Sequence, residues 1–115
     1  MNLEAGETAG LFELSFSLKN ITKLICSIYS MNTSYSTTVR CYISLSTTIP
    51  KNLTEMQSAP FYNYGTYGSK KEYSFDIPDT LDRTKKYYLF FMSNHRYGGG
   101  NSWYQSLGIS GIKLS

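Results

Sequence analysis

The segment Lys86-Tyr-Tyr-Leu-Phe-Phe-Met-Ser93 decides the fold class of this chain. It is apolar on both faces of an extended strand, which is typical of a strand covered by protein on two sides. Elsewhere alternation with a period of two dominates, and apolar residues at helical spacing are nearly absent. We therefore predict an all-β protein in which this segment is a central strand.

The first three strands of the chain are predicted over Leu11–Leu18, Ile21–Met31 and Thr37–Ser46. In the first and third, every second residue is apolar, so one face of each strand should point into a core. The predicted inward residues are Phe12, Leu14, Phe16, Leu18, Val39, Cys41, Ile43 and Leu45. Asn32–Tyr35 is predicted as the tip of a hairpin between the second and third strands.

The middle of the chain gives weaker signals. Thr47–Lys70 is predicted to be irregular, because prolines and a glycine- and tyrosine-rich stretch interrupt it. A short strand is predicted over Glu72–Ile77, with Tyr73, Phe75 and Ile77 facing one way. Pro78–Asp79 ends that strand and could begin a single helical turn that runs to Arg83.

The C-terminal segment is predicted as one bent strand or two short ones. The two parts are Trp103–Ile109 and Gly111–Leu114, with β-bulges expected at Gly108 and Gly111. Six or seven strands without crossover helices indicate an antiparallel β-sandwich or barrel, and we expect a jelly roll. The domain should span residues 11–115, after a flexible lead-in or linker over residues 1–10.

Composition limits the class of partner. Of the 115 residues, 16% are aromatic, mostly because of 11 tyrosines, and only 17% are charged. Together with abundant serine and threonine, this favours an extracellular or virion-associated β module. The net charge of +3 is small and the basic residues are scattered along the chain, so we expect no nucleic-acid partner. No apolar run is long enough for a transmembrane helix, so we expect no membrane insertion.

The stretch Ser93-Asn-His-Arg-Tyr-Gly-Gly-Gly-Asn-Ser-Trp-Tyr104 is the main candidate binding site, and we call it the glycine loop. In one interpretation it is a simple connection whose tryptophan plugs the end of the core. In the other, aromatic rings form a stacking platform and polar side chains supply hydrogen bonds to a sugar. The candidate ligand-binding residues are Asn94, His95, Arg96, Tyr97, Asn101, Trp103 and Tyr104.

A second aromatic stretch, Phe61–Tyr67, carries Tyr62, Tyr64 and Tyr67. Alternate residues of an extended segment point the same way, so Tyr62 and Tyr64 could line one wall of a binding site. The alternatives are a loop folded over the end of the sandwich and a contact between subunits. All three tyrosines are candidate ligand-binding residues.

The two cysteines allow two interpretations. In the predicted hairpin, Cys26 falls opposite Cys41, and direct cross-strand neighbours can form a strained disulfide. The other interpretation, which we favour, is a pair of buried reduced thiols that behave as small hydrophobic residues. Two cysteines without paired histidines cannot complete a zinc site. Asp76, Asp79 and Asp82 follow no EF-hand pattern and are better explained by turns, so we expect no metal site and no cofactor.

Catalysis is not expected. His95 is the only histidine, and the sequence contains no nucleophile-elbow motif. The few carboxylates fall in predicted turns or on polar strand faces, and no pair points to a glycosidase mechanism. We therefore predict that the protein is not an enzyme.

Three segments carry a resemblance to a known group of folds. They are Leu11-Phe-Glu-Leu-Ser-Phe-Ser-Leu18, Tyr73-Ser-Phe-Asp-Ile-Pro78 leading into Tyr87-Tyr-Leu-Phe-Phe91, and Leu107-Gly-Ile-Ser-Gly-Ile-Lys-Leu114. This layout resembles the galactose-binding-like jelly rolls, which include carbohydrate-binding modules and the accessory or receptor-binding modules of phage tails. The resemblance lies in strand pattern and assigns no individual binding residue.

These observations lead to two expected functions. The first is a non-catalytic, lectin-like module of a larger cell-surface or phage-tail protein, which binds a glycan or cell-surface polysaccharide through its aromatic loops. The alternative is a structural module whose aromatic segments contact other subunits of a virion, tail or surface complex.

Overall fold

The computed structural model describes residues 7–14, 18–30, 38–94 and 107–115, with the backbone alone for residues 7–13 and Asn94. These residues form seven strands and one short helix. In chain order they are β1 (Glu7–Glu13), β2 (Lys23–Ser30), β3 (Val39–Ser46), α1 (Leu53–Gln57), β4 (Phe61–Tyr67), β5 (Lys71–Asp76), β6 (Tyr88–Asn94) and β7 (Leu107–Leu114). The predicted all-β class is confirmed.

The strands form two antiparallel sheets that pack face to face. One sheet has the order β1-β6-β3-β4 and the other has the order β5-β2-β7. Strand β6 begins inside the segment Lys86–Ser93 and ends one residue after it. It pairs with β1 on one side and with β3 on the other. Both the predicted β-sandwich and the central position of this segment are confirmed.

The core between the sheets follows the alternation of the strands. In β3, the four residues predicted to point inward are fully buried: Val39, Cys41, Ile43 and Leu45. The opposite sheet contributes the buried residues Leu24, Cys26 and Ile28 of β2. Burial of a large aliphatic side chain contributes roughly 1.5–3 kcal/mol, so this core is the main source of stability.

The first strand begins earlier than predicted. β1 covers Glu7–Glu13 and pairs with β6, so residues 7–10 belong to the sheet rather than to a lead-in. The strand ends before Leu14, whose N–H still bonds to the Tyr87 carbonyl at 3.0 Å. Leu14 and Leu18 are buried as predicted. The strand predicted over residues 11–18 is therefore wrong in its bounds, because β1 begins at Glu7 and ends at Glu13, and residues 15–17 lie outside the described residues.

The predicted hairpin between the second and third strands is wrong. β2 pairs with β5 and β7, whereas β3 pairs with β4 and β6, so the two strands lie in different sheets. Asn32–Tyr35 lies outside the described residues. The connection therefore passes from one sheet to the other, which alternation alone cannot distinguish from a hairpin.

The segment predicted to be irregular contains two regular elements. α1 begins after Asn52, whose side chain accepts a hydrogen bond from the Glu55 N–H at 2.9 Å. An asparagine followed three residues later by glutamate resembles a capping box, a signal that could have revealed the helix. β4 follows, paired with β3 over seven residues.

In the part of the chain that the structure describes, no helix is long and apolar enough to cross a membrane.

Tight turns replace the helical turn predicted after β5. The Leu81 N–H bonds to the Pro78 carbonyl at 3.3 Å, which closes a β-turn. The Arg83 guanidinium donates to the carbonyl oxygens of Leu18 at 3.0 Å, Pro78 at 3.2 Å and Ile21. One side chain thus joins this turn to the turn that precedes β2.

Only one of the two bulges predicted in β7 is present. Ser110 pairs with Ser27 and Lys113 with Ile25, so two residues of β7 lie opposite Cys26 alone. Gly111 lies in this bulge with a φ of 60°, a backbone conformation that favours glycine. Gly108 instead pairs in regular register with Tyr29.

Candidate ligand-binding face

Three tyrosines lie on the outer side of the four-stranded sheet, away from the main core. Tyr62 and Tyr64 alternate along the edge strand β4, and Tyr42 of β3 pairs with Tyr64. The rings of Tyr42 and Tyr64 are stacked, with centroids 4.7 Å apart and planes inclined by 25°. We call Tyr42, Tyr62 and Tyr64 the tyrosine face.

The stacked pair has one covered ring and one open ring. Tyr42 is 8% exposed, whereas Tyr64 is 47% exposed. Among the described residues, Ile49 is the other exposed large hydrophobic side chain, at 39%. Because offset stacking is favourable, Tyr42 holds the Tyr64 ring in a defined orientation. The exposed surface of Tyr64 is therefore available to a ligand.

A small second cluster supports the tyrosine face from below. Met56 of α1 is fully buried against the outer side of the sheet. The cluster contains Tyr42, Met56, Phe90 and Met92, with Leu53 and Tyr62 packed against it. Its members fix the position of Tyr42, on which Tyr64 rests. The α1 helix thus connects the local fold to the candidate site.

Two polar side chains lie next to the tyrosine face on the same outer side of the sheet. Arg40 and Thr66 pair with each other next to the pair of Tyr42 and Tyr64, and alternation places all four on one face. Thr66 is exposed and Arg40 is half-buried. A guanidinium donates hydrogen bonds, and a hydroxyl both donates and accepts them. The arrangement can therefore bind a ligand that has an apolar face and a polar rim.

Most of the glycine loop lies outside the described residues. Asn94 ends β6, two residues after Met92, which pairs with Tyr42. Its backbone therefore lies at the Arg40 end of the tyrosine face. The remaining predicted residues, His95, Arg96, Tyr97, Asn101, Trp103 and Tyr104, fall in the part that is not described, and their role stays a prediction.

Tyr67, which was also predicted to bind ligand, does not share a surface with Tyr62 and Tyr64. It points between the sheets and is 7% exposed. Its ring makes an edge contact with Tyr73, with centroids 4.8 Å apart. Asn63 Nδ2 donates to its hydroxyl at 3.4 Å. Burial raises the pKa of Tyr67 to about 12, as expected for a structural residue.

Cys26 and Cys41 are free, buried thiols in different sheets. They are not the cross-strand neighbours that the predicted hairpin implied. Burial raises the pKa of the Cys26 thiol to about 11 and that of the Cys41 thiol to about 12. Such thiols stay protonated at neutral pH and are poor nucleophiles. Of the two interpretations, the structure contains the reduced, buried pair.

Two shallow clefts formed by described residues contain little reactive chemistry. One, of about 260 Å³, lies between the end of β3, α1 and the start of β4, and Glu55 is its one carboxylate. The other, of about 380 Å³, contains the ion pair between Lys23 and Asp76, both largely exposed. No group of three or more His, Cys, Asp or Glu residues that could hold a metal ion occurs within the described ranges.

Comparisons with protein-family models, with curated proteins and with solved structures found no match for this chain. Its function must therefore be inferred from its own surface. Sequence reasoning identified Tyr62 and Tyr64 but missed Tyr42, Arg40 and Thr66. Alternation in Thr37–Ser46 does place Tyr42 and Arg40 opposite the core residues, and that was the available signal.

Proposed function

We propose that this chain is a non-catalytic module that binds glycans through the tyrosine face. The observation that carries this proposal is the exposed ring of Tyr64 stacked on the buried ring of Tyr42. A sugar ring presents a face of C–H groups that packs on an aromatic ring, and a rim of hydroxyls. Tyr64 supplies the flat contact, and Arg40 and Thr66 supply hydrogen-bonding groups beside it.

The rigid support of Tyr64 favours binding. Immobilising a free side chain on binding costs about 0.5–1.5 kcal/mol. Tyr64 avoids much of this cost, because Tyr42 and the cluster around Met56 already orient its ring. A single open face still gives weak affinity, which repetition of the module in a larger cell-surface or phage-tail protein would raise. An extracellular or virion-associated location is part of this proposal.

The order of strand pairing supports a jelly-roll topology for the sandwich. β1 pairs with β6, β2 with β5 and β3 with β4, as in one long antiparallel hairpin. These pairs alternate between the two sheets, as they do when such a hairpin is rolled into a sandwich. β7 adds a strand beside β2. This topology is consistent with the resemblance to galactose-binding-like modules.

The alternative function, assembly with other subunits, is favoured by a different observation. The edge strand β4 carries no charged residue, and one of its two exposed side chains, Tyr64, is aromatic. Uncharged strand edges tend to pair with other strands. Both functions use β4, so a glycan and a neighbouring subunit would compete for Tyr64.

A glycan array tests the proposed function. The wild-type chain is screened beside Tyr64→Ala, with Ile49→Ala as the control for loss of another exposed hydrophobic side chain. We expect Tyr64→Ala to weaken binding to the recognised glycan by about tenfold, the loss expected for one ring contact. Tyr64→Phe, which keeps the ring, should retain most of the binding.

The role of the glycine loop is tested in the same screen with Trp103→Ala. Loss of binding in a folded Trp103→Ala chain would support a site that includes the loop. Binding that survives Tyr64→Ala unchanged would contradict the tyrosine face as the site. Absence of binding to every glycan would leave assembly as the function that β4 supports.

A further inference from the structure

The four strands at the sheet edges differ in how they are protected. Edge strands expose unpaired backbone groups, and proteins prevent unwanted pairing with charges, prolines or bulges. The sequences of the other three edge strands contain such features. They are Glu7 and Glu13 in β1, Lys71, Glu72 and Asp76 in β5, and Lys113 with the bulge at Gly111 in β7.

The fourth edge, β4, has none of these features. Phe61–Tyr67 contains no charge and no proline, and its register with β3 is unbroken. On its other side, no strand of the described part of the chain pairs with it. Beyond its end, the Gly68 carbonyl accepts a hydrogen bond from the Ser30 N–H at 2.8 Å, so the open length is β4 itself. Such an edge is a ready site for another strand.

We propose that β4 pairs with β4 of a second copy of this chain, forming a twofold dimer. A twofold axis perpendicular to the sheet makes the two strands antiparallel and keeps both outer faces on the same side. Pairing uses all seven residues when the axis passes midway between the two copies of the middle residue, Tyr64. The two four-stranded sheets then join into one sheet of eight strands.

The side chains of β4 fit a second copy. With the axis at Tyr64, each Tyr64 lies opposite its counterpart, and Tyr62 lies opposite Thr66. Directly opposite aromatic pairs stabilise a sheet, and the contact covers the most exposed large hydrophobic side chain of the described residues. Because the strand is uncharged, its self-pairing brings no like charges together.

The residues that flank β4 are also compatible with antiparallel self-pairing. Lys70 and Lys71 follow the strand, and Glu55 lies in the cleft beside Pro60, just before it. Antiparallel pairing brings the basic end of each copy towards the end of the other copy that carries Glu55. This dimer does not depend on glycan binding, because backbone pairing and Tyr64 form it without a ligand.

Charge-swap variants test the dimer. The chain has a mass of 13.1 kDa, and we expect analytical ultracentrifugation of wild type to give about twice that value in a concentration-dependent manner. Tyr64→Lys and Tyr64→Glu each place like charges face to face at the axis, so each should be monomeric alone. An equimolar mixture of the two should regain the dimer mass.

Controls separate this contact from other effects. Ser74→Lys puts the same charge on the protected edge strand β5 and should leave the dimer intact. Circular dichroism verifies that each variant is folded, as expected for substitutions at exposed positions. A wild-type chain that stays monomeric at millimolar concentration would overturn the proposal. So would a dimer that persists in Tyr64→Lys, or two monomeric variants that fail to associate when mixed.

Discussion

The ring of Tyr29 in β2 lies directly over Gly108, its cross-strand neighbour in β7. A Cβ atom at residue 108 would lie 2.2 Å from the Tyr29 Cε2 atom, far inside contact distance. Lys70 Nζ is 5.2 Å from the centroid of the same ring, within the range of a cation–π contact. Glycine at residue 108 therefore makes room for an aromatic side chain that covers the edge strand.

We expect Gly108→Ala to lower the free energy of unfolding by about 1–3 kcal/mol, because the Tyr29 ring must leave its position. Urea denaturation measures this change. In a Tyr29→Ala background the methyl group has space, so the same substitution should cost much less. Additive effects of the two substitutions would contradict a direct steric conflict.

Arg83 is partly buried, and among the turn residues we expect its substitution to destabilise the fold most. Its guanidinium bonds to three carbonyl oxygens from two turns. Hydrogen bonds to charged groups contribute about 1.5–3 kcal/mol, and Arg83→Met leaves the carbonyls without this donor. We expect a loss of roughly 2–4 kcal/mol in thermal or urea unfolding. Lys85→Met, two residues away and exposed, should change stability by less than about 0.5 kcal/mol. Similar losses for both variants would contradict the role assigned to Arg83.

The buried thiols should make stability fall at alkaline pH. Cys26 and Cys41 have folded-state pKa values raised from the ordinary 9.0 to about 11 and about 12. Below pH 9 both thiols are protonated in both states and add no pH dependence. Above pH 9 the unfolded thiols ionise while the folded ones do not, so the unfolded state is favoured.

The slope of unfolding free energy against pH should therefore be steeper between pH 9 and 10 in wild type than in a Cys26→Ala/Cys41→Ala variant. The difference can reach about 1.4 kcal/mol per pH unit for each thiol. Urea unfolding at a series of pH values measures it. Equal slopes in the two proteins would show that the thiols ionise in the folded state.

Ser44 offers a stabilising substitution. Its hydroxyl is fully buried and has no hydrogen-bond partner within the part of the chain that the structure describes. It lies between Phe90 and Tyr62 on the outer side of the sheet. We expect Ser44→Ala to raise the free energy of unfolding by about 1 kcal/mol, because a buried unpaired hydroxyl is costly. Ser46→Ala, which removes a hydroxyl that accepts the Thr48 N–H at 3.3 Å, should not stabilise.

The sequence predicted the main core because alternate residues of a strand lie on one face, and the face that is buried carries the apolar residues. Val39, Cys41, Ile43 and Leu45 alternate in the sequence, and their strand buries that side. Alternation does not specify which strands pair, so β2 and β3 were predicted as a hairpin although they lie in different sheets. Pairing depends on the whole sandwich, and a local pattern cannot supply it.

The candidate site was partly predictable for the same reason. Tyr62 and Tyr64 were expected on one side because alternate residues share a face, and β4 places them so. Tyr67 is three residues after Tyr64, so it lies on the opposite face of β4 and points into the core. Tyr42 comes from a strand distant in the sequence, and its stacking on Tyr64 requires the pairing of β3 with β4. A site built across two strands is visible only after the register is known.

Glycan binding and dimer formation should compete at Tyr64. One face of this ring rests on Tyr42, so a stacked sugar and the Tyr64 of a second copy would use the same remaining surface. Adding the recognised glycan should therefore shift the wild-type chain from dimer to monomer, with half of the shift near the apparent Kd for the glycan. Sedimentation at a fixed protein concentration with increasing glycan measures this effect, and an unrelated sugar is the control. A glycan that binds without changing the dimer fraction would mean that ligand and second copy occupy separate surfaces, and would move the glycan site away from the open face of Tyr64.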